Sequence, residues 1–138
     1  MMAHRPRLPA AALAGALLAS AMVSATPVLA QSPDELLCQM ASEAAATTNA
    51  AGPVAVDAMT MQDKIEVTCD KKTIVARFSR KDASTAQPEG WQGEWQDKLD
   101  AAYCGDQATR EVIAGGWTLT ESTTFSDGVV FEIKAACD

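Results

Sequence analysis

Four cysteines, Cys38, Cys69, Cys104 and Cys137, constrain this chain of 138 residues more than any other feature. An even number of thiols in a short exported chain reads as a disulfide framework. None of the spacings approaches C-x-x-C, so the sequence signals neither a thioredoxin-type redox pair nor a zinc knuckle. A four-thiolate zinc site would usually need close pairs. Four cysteines allow three connectivities, and the choice among them depends on the order of the elements.

Export is read from the first residues. Arg5 and Arg7 give a positive start, and an Ala/Leu-rich run follows from Leu8 to Val23. "SATPVLA" then ends on the small residues that signal peptidase requires, Val28 and Ala30. Pro9 and the shortness of the run argue against a membrane anchor, which needs about 20 apolar residues. Residues 1–30 therefore read as a secretory signal peptide, with Ala25 as the alternative cleavage point. Cys38 follows the charged "DELL", which does not suit a lipoprotein site, and "HRPR" is not a twin-arginine signal. Residues 31–138 then form one small disulfide-stabilised domain, periplasmic or secreted, with no membrane insertion after cleavage.

Composition narrows the chemistry. Of 11 Lys and Arg, Arg5 and Arg7 belong to the leader, so residues 31–138 keep nine against eighteen Asp and Glu, a net charge of −9. That disfavours nucleic acid and anionic membranes, which attract basic patches. The single histidine, His4, also lies in the leader. A Cys–His or Ser–His catalytic pair and a histidine metal site are thereby excluded from residues 31–138.

Periodicity orders the elements. Ser32, Pro33 and Glu35 form a capping box, Leu37, Met40, Ala41, Ala44 and Thr48 recur at helical spacing, and Gly52–Pro53 stops the run. This predicts a helix over 33–49 with an Ala-rich inner face. Residues 54–60 read as an extended connection. Ile65, Val67 and Cys69, then Ile74, Ala76 and Phe78, alternate on one face of a hairpin that turns at "DKK". Residues 79–90 are polar and turn-rich, a loop in which Arg80 and Lys81 make a small solvated basic island. Trp91, Trp95, Leu99 and Ala102 predict a second helix with a kink or break at Cys104–Gly105, where Asp106 is the N-cap of the restart and Gly115 the C-cap.

The last segment is a second hairpin. A Ser126–Asp127–Gly128 loop pairs Phe125 with Val129 and Trp117 with Cys137, joins the apolar faces and puts Gly128 where φ is positive. Glu121 then falls on the apolar face opposite Ile133, so either a bulge or an exposed spot is expected there. The predicted fold is α+β: order α-β-β-α-β-β, a four-stranded antiparallel sheet, two helices on one face and two disulfides. Pairing within each helix-hairpin unit favours Cys38–Cys69 and Cys104–Cys137 among the three connectivities.

"TNAAGPVAVDAMT", with Asn49, Pro53, Val56–Asp57 and Thr60, resembles a segment of small exported bacterial proteins. "YCGDQATREVIAGGW", "SDG" and the final cysteine resemble their C-terminal half. These proteins are described as quorum-sensing-regulated virulence factors. Cys38 and Cys69 are an extra pair relative to that pattern. The resemblance implies a helix-and-hairpin fold and an exported location, and it brings no catalytic residues.

Candidate chemistry is sparse. Glu89, Glu94, Asp97 and Asp100 crowd the start of the second helix, where carboxylates could serve hydrolysis but also suit the helix dipole. Trp95 and Trp117 read as core, whereas Trp91, beside a loop, reads as an exposed contact. "STTFS" could offer an edge strand to another chain. The expectation is a non-enzymatic exported protein with an unknown protein partner, no cofactor, no metal and no catalytic residue. Its candidate contact residues are Trp91, Glu89 and Glu94. The alternatives are an acidic inhibitor of a basic exported enzyme such as lysozyme, and a small carboxylate-dependent hydrolase.

Overall fold

The computed structural model describes residues 31–138; the expected signal peptide lies outside the described residues. Helix α1, Pro33–Ala50, starts on the expected capping box: Ser32 Oγ accepts from Glu35 N at 3.2 Å, and Glu35 Oε2 accepts from Ser32 N at 3.0 Å. Strand β1 is only Val54–Ala55; β2, Thr60–Thr68, and β3, Thr73–Arg80, form the first hairpin. Helices α2, Trp91–Cys104, and α3, Gln107–Ala114, precede the second hairpin of β4, Thr118–Thr124, and β5, Val130–Lys134.

The sheet has five strands in the order β1-β2-β3-β4-β5. The expected four-stranded antiparallel sheet is therefore corrected in two ways. Part of the extended connection at 54–60 adds a short edge strand, pairing Val54 with Gln62 and Ala55 with Met61. The two hairpins meet in parallel, Thr73 beside Thr118 through Ser79 beside Thr124. Helices α2 and α3 carry the chain from the end of β3 back to its beginning, and a crossover of this kind is what parallel neighbours require. Of the kink or break expected at Cys104–Gly105, the structure has a full break, so the α-helices number three among the described residues.

That break is built by two residues. A Cβ on Gly105 would stand 2.8 Å from the Ala101 carbonyl oxygen, closer than side-chain carbons approach. Asp106 then caps α3, its carboxylate accepting from Thr109 N at 3.1 Å and Thr109 Oγ1 at 2.6 Å. Both disulfides are Cys38–Cys69 and Cys104–Cys137, each tying a helix to the adjacent strand or its tail.

The last hairpin has the expected register, Thr123 beside Phe131 and Glu121 beside Ile133, with Gly128 at φ 82°. No bulge rescues Glu121. It stays half-buried on the helix side, and its charge joins burial in pushing the Tyr103 hydroxyl pKa up. In the first hairpin a bulge between Gln62 and Lys64 shifts the phase, so that Gln62 and Ile65 are both buried. The core joins Ala76, Phe78 and Leu119 of the sheet to Leu99 and Tyr103 of α2.

Helix α1 contributes a thin, close contact, burying only Ala41 and Ala45. The next residue on that row, Asn49, reaches the edge of β2 beyond the end of β1. Its Nδ2 donates to Ile65 O and its Oδ1 accepts from Ile65 N, both at 2.8 Å, as a neighbouring strand would. At the other end of α1, Asp34 accepts from Trp117 Nε1 at 3.2 Å and pairs with Lys72 at 2.7 Å, joining α1 to the first turn and the start of β4. Asn49→Ala is expected to cost about 1–3 kcal/mol in urea unfolding, because it orphans two backbone groups. Asn49→Asp should recover only part of that, since it keeps the acceptor and loses the donor. A midpoint unchanged by Asn49→Ala would show that water replaces the amide fully.

Candidate functional site

Helix α2 presents three rows of side chains, and they do different work. Trp91, Trp95, Leu99 and Tyr103 follow one another at four-residue steps, the spacing that keeps one face inward. Trp91, Leu99 and Tyr103 are buried. The next row is Gln96, Asp100 and Cys104, and it grips the chain leaving β5. Gln96 Nε2 donates to Lys134 O at 2.7 Å, Asp100 Oδ1 accepts from Ala136 N at 2.8 Å, and Cys104 is bonded to Cys137. The third row, Glu94, Asp97 and Lys98, is exposed.

The first turn of α2 sits in an aromatic cluster at one end of the sheet. The Trp91 ring lies 4.7 Å from Phe131, 5.0 Å from Trp95 and 5.2 Å from Phe125, each edge to face. Trp95 stacks on Phe125 at 5.8 Å. The guanidinium of Arg80 lies 5.5 Å from the centre of the Trp95 ring, within cation–π range. The Arg80 side chain is 8 % exposed and would be a costly buried charge alone. Asp82 meets it with two bonds of 2.6 Å, and Thr60 Oγ1 accepts a third at 3.0 Å. Gln87 donates to the same carboxylate at 2.9 Å. The Arg80 hydrogen bonds, aided by Gln87, hold the Asp82 pKa down to about 2.

These contacts correct three expectations. Trp91 is not an exposed contact: it is 8 % exposed, because the helix begins one residue after Gly90 and turns the ring onto Phe125 and Phe131. Arg80 is not part of a solvated island, since β3 runs one step further than expected and carries it onto the buried face. "STTFS" supplies no edge, because β4 lies between β3 and β5.

The acidic candidates stay outside this cluster. Glu89 is exposed in the loop before α2, and Glu94 forms an exposed pair with Lys98 at 2.5 Å. Asp100 is occupied by Gln96 and Ala136. Asp127, at the tip of the last hairpin, is turned onto Ser84, accepting from its backbone N at 3.1 Å and its Oγ at 2.6 Å. That bonding lowers the Asp127 pKa, with Ser84 Oγ the largest cause. Neither the hydrolase nor the inhibitor alternative gains a converging set of carboxylates from these placements. Large apolar side chains are exposed at Leu36, Val54, Met59, Val129 and Val130, the last pair adjacent at the start of β5. Among the described residues no helix is long and apolar enough to cross a membrane, and no group of three metal-ligating side chains is found.

The fold is similar to that of two solved structures. A Pseudomonas aeruginosa protein provisionally described as secreted, PA3611, superposes with a TM-score of 0.54 at 18% identity, over 77% of this chain and 96% of its own. The pilotin EpsS of the Vibrio vulnificus type 2 secretion system superposes with a TM-score of 0.53 at 19% identity, over 71% of this chain and 86% of its own. No family model matches the sequence, and no curated protein matches it.

The Arg80–Asp82 pair yields a pH signature. With a folded pKa near 2 against the usual value of 3.8, Asp82 stabilises the fold fully above about pH 4 and loses that contribution as the pH falls through about 2. Asp82→Asn is expected to lower stability by about 2–3 kcal/mol at pH 7, leaving Arg80 half-satisfied. The gap between variant and wild type should then close toward pH 2. Urea titrations at pH 7, 4 and 2.5 read this directly, and a gap that stays constant with pH would assign the effect to packing instead.

Proposed function

We propose that this chain is an exported, non-enzymatic accessory protein that acts by binding another protein in the periplasm or outside the cell. The observation that carries the reading is the fold it shares, along most of both chains, with a pilotin of a type 2 secretion system. The likeness to the Pseudomonas protein provisionally described as secreted points to the same side of the cell membrane. Two disulfides within 31–138 fit an oxidising compartment, as does the leader-like start at Arg5 and Arg7. The quorum-sensing-regulated virulence factors that the sequence resembles belong to the same exported class.

The chemistry of the surface agrees with binding. Asp82, Asp100, Asp106 and Asp127 are spent on holding a turn, a helix–strand contact, a helix cap and a hairpin tip. What remains on the surface is net negative charge and adjacent exposed apolar side chains. Such a surface suits a partner with basic and apolar character.

The full-length gene, carrying a C-terminal affinity tag and expressed in its own host, tests the reading in two steps. The tagged chain should be recovered outside the cytoplasm without residues 1–30. It should also retain one envelope protein in near-equal amount, released as salt is raised. Recovery in the cytoplasm, or no protein retained beyond those held by an unrelated exported disulfide protein, would remove this reading.

A further inference from the structure

We propose that the free edge of β5 at Val130–Glu132 docks an extended, basic segment of a partner protein as a sixth strand. This rests on the protein-binding reading and specifies where and how the partner is held. The phase of the hairpin locates the edge. Phe125 N donates to Val129 O and Ala135 N donates to Leu119 O, both at 2.9 Å. Pairs in an antiparallel ladder alternate, so the odd residues of β5 bond to β4 and the even ones point their backbone groups outward. Lys134 O and Ala136 N follow that rule, and Gln96 and Asp100 on α2 take them. The N–H and C=O groups of Val130 and Glu132 face out in the same way, ahead of that clamp.

The clamp lapses above them for a visible reason. Gln92, the step before Gln96 on the row of Asp100 and Cys104, is exposed, and Gly93 beside it has no side chain to reach the strand. A Cβ there would meet nothing within 4 Å. The open edge is therefore bounded by the Ser126–Gly128 turn at one end and the Gln96 contact at the other. It is three residues long and offers two outward donors and two outward acceptors. Its outward-facing residues are apolar and acidic: Val130 is 55 % exposed and Glu132 is exposed, with Val129, 45 % exposed, just before them.

Charge selects the occupant. A second copy would bring another chain of net charge −9. A symmetric pairing that set Glu132 against Lys134 of the copy would need the Lys134 carbonyl that Gln96 already holds, and the other registers set Glu132 against Val130 or against Glu132, with no cation opposite Glu132. A foreign segment with lysine or arginine facing Glu132 and a small apolar residue facing Val130 satisfies both the backbone and the side chains.

Amide hydrogen exchange of the exported chain, with and without the capped heptapeptide Thr-Lys-Thr-Val-Thr-Lys-Thr, whose lysine and valine fall two residues apart on one face, tests the proposal. Free, the Val130 and Glu132 amides should exchange fast while Phe131 and Ile133 stay protected. At peptide concentrations about ten times Kd, exchange at Val130 and Glu132 should slow about tenfold. Glu132→Lys should weaken the peptide about three- to tenfold. Val130→Pro removes one outward N–H, which edge positions tolerate; it should abolish the effect while Ile133 stays protected, which certifies the fold. No slowing, or equal slowing by a peptide with glutamate in place of lysine, would overturn the proposal. Protection that appears without peptide and rises with protein concentration would overturn it too, in favour of a second copy. A partner retained equally by wild type and Val130→Pro would overturn the edge proposal alone. A wild-type chain that captures no partner yet binds the peptide at β5 would overturn the functional reading alone.

Discussion

The crossover between Arg80 and Thr118 decides the rest of the architecture. It sets β4 parallel to β3 and so fixes which strands lie inside the sheet and which lie at its edges. Because the returning chain is helical, α2 and α3 must lie on the sheet face that carries Ala76, Phe78 and Leu119, and the core forms there. The same path places the first turn of α2 over the far end of β3 and the hairpin of β4 and β5. The aromatic cluster and Arg80 meet at that point. Breaking the helix at Gly105 lets α3 double back toward Trp117, and it leaves Cys104 over the tail of β5.

Much of this fold is legible in the sequence because local rules act alone there. The capping box of α1, the Asp106 cap and the register of the last hairpin each depend on a few neighbouring residues. In that hairpin the parity of the apolar face and the positive φ at Gly128 agree on one loop length. The parallel meeting of β3 and β4 is not legible in this way. Both hairpins keep the same alternating faces whether they meet parallel or antiparallel, so only the geometry of the crossover chooses. A two-residue β1 is too short to have a period at all.

The candidate site was less legible, and particular residues show why. Arg80 continues the alternation of Ile74, Ala76 and Phe78 by one step, which was the available signal for its burial. Its partners Thr60 and Trp95 lie far away in sequence, and a cation beside Lys81 looks solvated until they are seen together. Trp91 follows a polar loop, and nothing local announces Phe125 and Phe131 beneath it. Asn49 continues the buried row of Ala41 and Ala45, so a polar residue in register with a buried alanine row was the clue to an edge contact.

The residues that carry the resemblance to exported virulence factors have structural roles in this chain. Asn49 closes the edge of β2 at Ile65, Asp57 accepts from Met59 N at 2.8 Å, and Thr60 accepts from Arg80. A motif made of such residues preserves a fold and is silent about a partner. The two halves of the chain treat their sheet edges alike, each with a helix side chain bonded to strand backbone and a disulfide nearby. Beside β2, the strand β1 fills what Asn49 does not reach. Among the described residues no strand plays that part beside β5, and Gln92, the step before Gln96 on α2, is exposed. An unpaired backbone edge is a hazard that native proteins usually blunt. Here the turn at one end and the Gln96 contact at the other confine it to three residues, long enough to recognise a short segment and too short to template a sheet.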